Sequence, residues 1–435
     1  MNRPSRGPTL VAVGVLLVVA TLAVGATTAP DVAVGSSDGS ATLVGSQGGG
    51  TGWHEQGSAY LVENGSVQWV EDSADSYFDV TRLDDGDVLV GFMDSGYAEG
   101  CGESEPPCTQ TGFRVIDPDA DGGPAVVDEY AFPVRSSQNS ETHDVELLAT
   151  GEYLVSDMEH ERIFTVRNGT VTWQWNASGF YDAPPDPTRR DWLHVNDVDA
   201  LNATHYLVSV RNSNQILLIE RDAGVVEVIN ADRGTDDGAC QLRDGQLADF
   251  DGDGEIRCGD PSVMDHQHNP QWLGNGTVLV ADSGNDRIVE LRRVDGRWEP
   301  AWTLTAANGV PLHWPRDADR LDNGNTLVTD TLNNRIFEVG ANGSVVWSMQ
   351  TPDWSPIAYE AERLPEGERT SGPAYPAETV GPASGSVPLF STLLVGLHSV
   401  APGTPFWVGE GHLAVVLLGV LTATAGCVDW YRRRR

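Results

Sequence analysis

The sequence predicts an all-β fold, a six-bladed β-propeller with transmembrane segments at its N- and C-terminal ends. Three observations predict it. The phrase His143-Asp-Val-Glu-Leu-Leu-Ala-Thr-Gly-Glu-Tyr-Leu-Val returns in altered form from Asn196, from His268 and from Arg316. The two ends of the repetitive region complete one another. Apolar runs flank that region on both sides.

Each copy reads as a short strand, a two-residue turn rich in Gly and Asn, and a second strand; a third and fourth strand follow, as in Ile163-Phe-Thr-Val-Arg-Asn-Gly-Thr-Val-Thr-Trp173. That is one four-stranded blade. Aligning the copies on their Leu-Val pair puts Asp79, Asp144, Asp197, Asn269 and Asp317 in one column, about 48 to 72 residues apart, the longer intervals carrying insertions. Five blades begin there. Ala361-Glu-Arg-Leu-Pro-Glu-Gly repeats Ala318-Asp-Arg-Leu-Asp-Asn-Gly and supplies a first hairpin, while Tyr60-Leu-Val-Glu-Asn-Gly-Ser-Val-Gln-Trp69 has the third-and-fourth-strand pattern. A sixth blade made from both ends closes the ring and leaves no exposed edge.

Along the chain, residues 1–30 hold Arg3 and Arg6 ahead of an uncharged apolar run from Thr9 to Gly25, a signal peptide or an N-terminal transmembrane anchor. Residues 31–52 are Gly/Ser-rich and read as a flexible linker. The propeller occupies 53–378, and 379–386 form a second linker. Residues 387–431 read as a membrane-associated region: an apolar stretch broken by Pro402 and Pro405, then a C-terminal transmembrane helix ending in Trp430 and Tyr431. The four arginines at 432–435 form a cytoplasmic basic tail, which puts the propeller on the extracellular side of the cell membrane.

The formal net charge is -36, from 63 acidic and 27 basic residues, and every basic residue is Arg. Such a surface repels nucleic acid. Acid excess without Lys suits a halophile, whose concentrated salt screens self-repulsion. Of the five cysteines, Cys101 with Cys108 and Cys240 with Cys258 share inserted loops, so an exported location predicts two loop disulfides and a free Cys427.

In a propeller the first strand of every blade lines the central channel, so residues just before those strands converge. They include His143, His194 with Asn196, His266 with His268, and His313 with Arg316. Arg211 ends the second strand of the His194 blade, where it reaches back to the same funnel. Histidines beside arginine in so acidic a chain point to an anion-binding site. The Asp column reads as architecture, its carboxylates fixing turns through backbone N–H groups.

The blade phrases, His194-Val-Asn196, Arg211, His268 and the closing Ala361-Glu-Arg-Leu together resemble the arylsulfate sulfotransferases that work without a nucleotide sulfate donor, over about residues 53 to 375. The resemblance implies transfer of a sulfuryl group from an aryl sulfate donor to a phenol acceptor through a sulfohistidine. It makes His268 the nucleophile and His143, His194, Asn196 and Arg211 the sulfate-binding and acid–base residues, with no cofactor for catalysis. The competing class is a non-catalytic cell-surface propeller that binds a ligand or protein; turnover of a chromogenic aryl sulfate separates the two.

Outside the funnel, Asp249, Asp251, Asp253, Gly254 and Asp260 have the spacing of a calcium loop, predicting a structural Ca2+.

Overall fold

The computed structural model describes residues 6–29, 40–49, 53–136, 140–232, 247–252, 254–367, 369–381, 388–401 and 403–434. The chain forms two compact units: Val32–Ser384, and Met1–Asp31 together with Gly385–Arg435.

The larger unit is the six-bladed propeller. Blade I comprises Ser76–Arg82, Val88–Tyr97, Cys108–Asp117 and Ala125–Val134, and blade II Val145–Leu147, Tyr153–Asp157, Arg162–Arg167 and Thr170–Asn176. Blade III comprises Val195–Asn202, His205–Val210, Gln215–Glu220 and Gly224–Ile229; blade IV His268–Gly274, Thr277–Asp282, Arg287–Val294 and Arg297–Leu304; blade V Asp317–Arg320, Thr326–Asp330, Arg335–Val339 and Val345–Gln350. Blade VI pairs Ile357–Leu364 with Ala41–Gly48, followed by Ser58–Glu63 and Ser66–Glu71. Asn64-Gly65, Asn168-Gly169, Asn275-Gly276 and Asp295-Gly296 all have positive φ at both positions, the turn whose twist matches paired strands.

No single core holds this unit. Strand alternation divides the apolar residues among the blade interfaces: Tyr206 and Val208 pack against blade II, and Leu207 between them packs against blade IV. Each fully buried Leu or Val contributes roughly 1.5–3 kcal/mol, so the ring is held by several apolar interfaces, the largest of them between blades II and III.

Two expectations change here. Residues 41–48, placed in a flexible linker, form a buried strand between Ile357–Leu364 and Ser58–Glu63, so the ring closes with one C-terminal strand and three N-terminal ones. Small residues make that strand possible, since a Cβ on Gly45 would lie 1.8 Å from the Phe78 carbonyl oxygen. At the far end, Glu378–Val380 adds a parallel fifth strand to blade IV beside Trp302–Leu304.

The Asp column also works differently from the turn-fixing expected of it. Asp79 accepts the Val145 N–H at 3.3 Å, Asp144 the Val198 N–H at 2.6 Å and Asp317 the Ala361 N–H at 3.1 Å. These carboxylates join one blade to the next.

Cys101 and Cys108 are disulfide-bonded and Cys427 is free. Cys258 is also disulfide-bonded; its expected partner Cys240 lies outside the described residues.

The smaller unit contains α1 (Gly7–Thr28), α2 (Pro388–Val400) and α3 (Glu410–Arg434). Helices α1 and α3 are long and apolar enough to cross a bilayer. They pack antiparallel through glycines: a Cβ on Gly14 would lie 2.4 Å from the Gly419 oxygen, and one on Gly7 2.7 Å from the Gly426 oxygen.

Candidate active site

The turn after the second strand prepares the site. In blades II, IV and V it opens on an aspartate that pairs with an arginine five residues later: Asp157 with Arg162 at 2.7 Å, Asp282 with Arg287 at 2.6 Å and Asp330 with Arg335 at 2.7 Å. Blade III has Val210 and Gln215 at these positions, and Arg211 in the turn between them.

One residue of each turn adopts a left-handed conformation, and in blades II, III and IV its side chain grips the next blade. Asn214 (φ 54°) accepts the His266 N–H at 3.1 Å, and Asp286 (φ 51°) the Trp314 N–H at 2.8 Å. Glu161 (φ 49°) accepts three, from Leu193 at 2.8 Å, His194 at 2.9 Å and Val195 at 3.0 Å. Burial and the neighbouring Asp191 push the Glu161 carboxyl up to about 8, against the pull of those donors. The gripped residues His194, His266 and Trp314 are themselves left-handed, a conformation non-glycine residues seldom adopt. The chain therefore turns sharply and delivers the residue two places on, Asn196, His268 or Arg316, to the first strand's inner end.

The corresponding positions in the other blades, each just before the acidic column, are Phe78, His143 and Tyr359. One residue per blade thus meets at the channel. His143 lies 4.9 Å from Phe78 and 5.2 Å from Tyr359 between ring centroids, and His268 lies 5.9 Å from Tyr359 and 6.4 Å from Trp314. The Arg316 guanidinium sits 5.0 Å from the Tyr359 ring centre. Behind this ring, Asp144, Asp197, Asn269, Asp317 and Glu360 line a narrow cavity.

Hydrogen bonds set the histidine protons. Ser283 Oγ donates to the Pro315 carbonyl at 2.5 Å, so it accepts from His268 Nδ1–H at 2.8 Å. That leaves the Nε2 lone pair of His268 available. His194 Nδ1 donates to Asp191 at 2.8 Å, and its Nε2 accepts from Arg211 Nη1 at 2.9 Å. Burial is the main reason all three imidazoles resist protonation; Arg316 and Arg211 add to it at His268, and Arg211 at His194. Asp191 stays ionised because His194 and Arg211 outweigh its burial.

The structure brings His143, His194, Arg211 and His268 together. His143 lies 5.3 Å from His194. Asn196 donates its amide to the Gln267 carbonyl at 2.9 Å, next to His268, so it holds the backbone of the nucleophile candidate. Phe78 and Tyr359 read in the sequence as ordinary strand aromatics, although both occupy the column that leads to His143 and His268. Asp191 lies in a connection without a repeat signal, and Glu161 and Ser283 lie inside the recurrent Asp-to-Arg turn at positions whose residue type changes from blade to blade.

The acidic loop is assembled differently from its spacing. Asp249 and Asp251 come together with Asp182, from the connection between blades II and III, their carboxylate oxygens within 4.8 Å. Asp260 turns instead to the N–H and hydroxyl of Ser262, at 2.8 and 2.7 Å. Asp253 lies outside the described residues.

No curated protein matches the sequence. Among solved structures, a protein of unknown function from Bacteroides caccae is 14% identical, the match covering 76% of this chain and 100% of that one with a TM-score of 0.49. The periplasmic gluconolactonase of Pseudomonas aeruginosa is 12% identical over 74% of this chain and 98% of its own, with a TM-score of 0.42. Virginiamycin B lyase from Staphylococcus aureus is 11% identical, covering 63% and 70%, with a TM-score of 0.36. Residues 49–295, more than half of the chain, match the arylsulfotransferase (ASST) family and include His143, His194, Asn196, Arg211 and His268; the chain belongs to that family.

Proposed function

We propose that this chain is an exported, membrane-tethered sulfotransferase that moves a sulfuryl group from a phenolic sulfate ester to an acceptor phenol by way of a sulfohistidine at His268. One observation carries the reading: Ser283 takes the His268 Nδ1 proton as its hydrogen-bond partner, leaving Nε2 as a neutral nucleophile inside an aromatic ring of residues flanked by Arg211 and Arg316.

The chemistry balances in two steps. The Nε2 lone pair attacks sulfur, the bond from sulfur to the aryl oxygen breaks, and its electron pair leaves on the phenolate. The acceptor phenol then attacks the same sulfur, the nitrogen–sulfur bond breaks, and its pair returns to Nε2. His143, whose buried Nδ1 has no hydrogen-bond partner among the described residues and which burial keeps neutral, takes the acceptor's proton and releases it to solvent, matching the proton that the departed phenolate takes up. As in phosphoryl transfer, charge spreads over the oxygens of a loose transition state, which fixed cationic donors stabilise. Phe78, Tyr359 and Trp314 offer faces and edges for a phenolic ring.

Release of nitrophenol from para-nitrophenyl sulfate, dependent on an added phenol, tests the reading. Failure across a broad set of aryl sulfates in high salt would favour a binding propeller.

Helices α1 and α3 support the tether. Their backbones pack glycine to glycine, and Val15, Leu16, Val19, Leu418 and Leu421 are left exposed for lipid. Arg6 and the arginines from Arg432 onward support a topology with both helix ends inside the cell and the propeller outside. If α1 stays as the partner of α3, the mature protein keeps residues 7–28; intact mass from isolated membranes checks this, and a chain starting beyond them would reject it.

Asp182, Asp249 and Asp251 supply the carboxylate oxygens that calcium prefers. Calcium there would join the insertion before His266 to the connection that carries Asp191. Equal proteolysis of residues 247–260 with calcium and with chelator would count against it.

A further inference from the structure

We infer that Arg316, with the Tyr359 hydroxyl beside it, is the group that holds the anionic sulfate, and that Arg211 positions His194. The inference takes its substrate from the sulfotransfer reading, but its test does not depend on turnover.

The two arginines differ in what already surrounds them. Arg211 spends Nη1 on His194 at 2.9 Å and Nε on Asn212 at 3.2 Å, and the Asp191 carboxylate lies 3.7 Å from Nη2. Its charge is opposed before any substrate arrives. Among the described residues the Arg316 guanidinium has no carboxylate within ion-pair distance; its one hydrogen-bond partner is the neutral side chain of Gln47, and its Nε is buried with none. The residue is half-buried, and a guanidinium partly withdrawn from water with its inner N–H unpaired and no anion beside it is costly. Burial and Arg211 lower it to about 10, against Tyr359 and Glu141.

Other unsatisfied groups accompany it. The Tyr359 hydroxyl and His143 Nδ1 are buried without a hydrogen bond. Buried polar atoms are rarely left so, and the Arg316 Nε–H and the Tyr359 O–H are donors that one compact acceptor satisfies. A sulfuryl group presents several oxygens and one negative charge, which the planar Arg316 fork and one hydroxyl can meet together. Arg316 and His268 both flank the Tyr359 ring, at 5.0 and 5.9 Å from its centre, and burial apart Arg316 is the strongest influence lowering the proton affinity of His268. Blade V thus supplies the charge, blade IV the nucleophile and blade III the support.

The test is equilibrium binding of inorganic sulfate to the full chain in detergent at fixed ionic strength, read by calorimetry. Arg316→Gln should weaken binding at least tenfold, about 1.4 kcal/mol, and Arg211→Gln by less than about threefold. Arg316→Lys, which keeps the charge and loses the fork, should fall between wild type and Arg316→Gln, and decides the matter if Arg316→Gln does not fold. Wild-type affinity in Arg316→Gln, a loss in Arg211→Gln as large as in Arg316→Gln, or no binding by the wild type would each overturn the assignment. If no aryl sulfate turns over while Arg316→Gln still loses sulfate, sulfotransfer fails and the anion site stands.

Discussion

Blade III and its neighbours build the same turn from different residues. In blades II, IV and V an aspartate and an arginine five apart close it and spend their charges on each other. In blade III those positions are Val210 and Gln215, and an arginine one place along bonds to His194. A repeat that uses one backbone for architecture several times can release it once for chemistry, and the release shows where the repeated charge pair is missing.

That contrast predicts opposite outcomes for similar substitutions. The largest effect belongs to Asp330→Ala, because Asp330 is fully buried and holds Arg335, Asn333 and the His313 N–H. Removing it strands a buried guanidinium and should cost roughly 3–5 kcal/mol of stability by denaturant titration. A cost below about 1 kcal/mol would put the pair on the footing of an exposed one. Arg211→Ala should leave the unfolding midpoint almost unmoved yet slow sulfuryl transfer roughly 10- to 100-fold by freeing His194, the size of effect that lost support around a site produces. Comparable stability losses in the two variants would erase the distinction between the blades.

Glu161→Gln comes next. It keeps an acceptor for Leu193 and His194 but turns an NH2 toward the Val195 N–H, which should cost roughly 1–3 kcal/mol and loosen His194. Unchanged stability would remove Glu161 from the account.

The smallest effect is on the pH profile of transfer. His143, His194 and His268 are held neutral in the fold, whereas unfolded histidine titrates near 6.5. As pH falls below about 6.5 the unfolded chain gains protons that the folded one refuses, so stability is full above that value and declines below it. His160, raised beside Asp157, pulls the other way. Activity should persist below pH 6.5 while the protein stays folded; loss with a midpoint at 6.5 would mean an exposed, ordinary imidazole.

The propeller was legible because its phrase recurs at blade-sized intervals with a fixed acidic column. The strand at 41–48 was not, since its Gly/Ser-rich composition resembles a linker and its partner Ile357–Leu364 lies at the other end of the domain. At the site, His143, His194, Arg211 and His268 stood out as polar residues at channel-facing positions. Phe78 and Tyr359 occupy the same column but read as ordinary strand aromatics, and only the closed ring shows them touching His143. Asp182 could not be joined to Asp249 from spacing, because the chain between them folds through blade III.

The central claim is the covalent one, and trapping it is the most direct measurement. Incubating the full chain with para-nitrophenyl sulfate and no acceptor, then mapping peptides by mass spectrometry, should find the sulfuryl group on His268, one nitrophenol released per chain, and discharge on adding phenol. His268→Ala should show neither adduct nor turnover. Wild-type turnover with no adduct, an adduct on another residue, or normal turnover in His268→Ala would contradict the account.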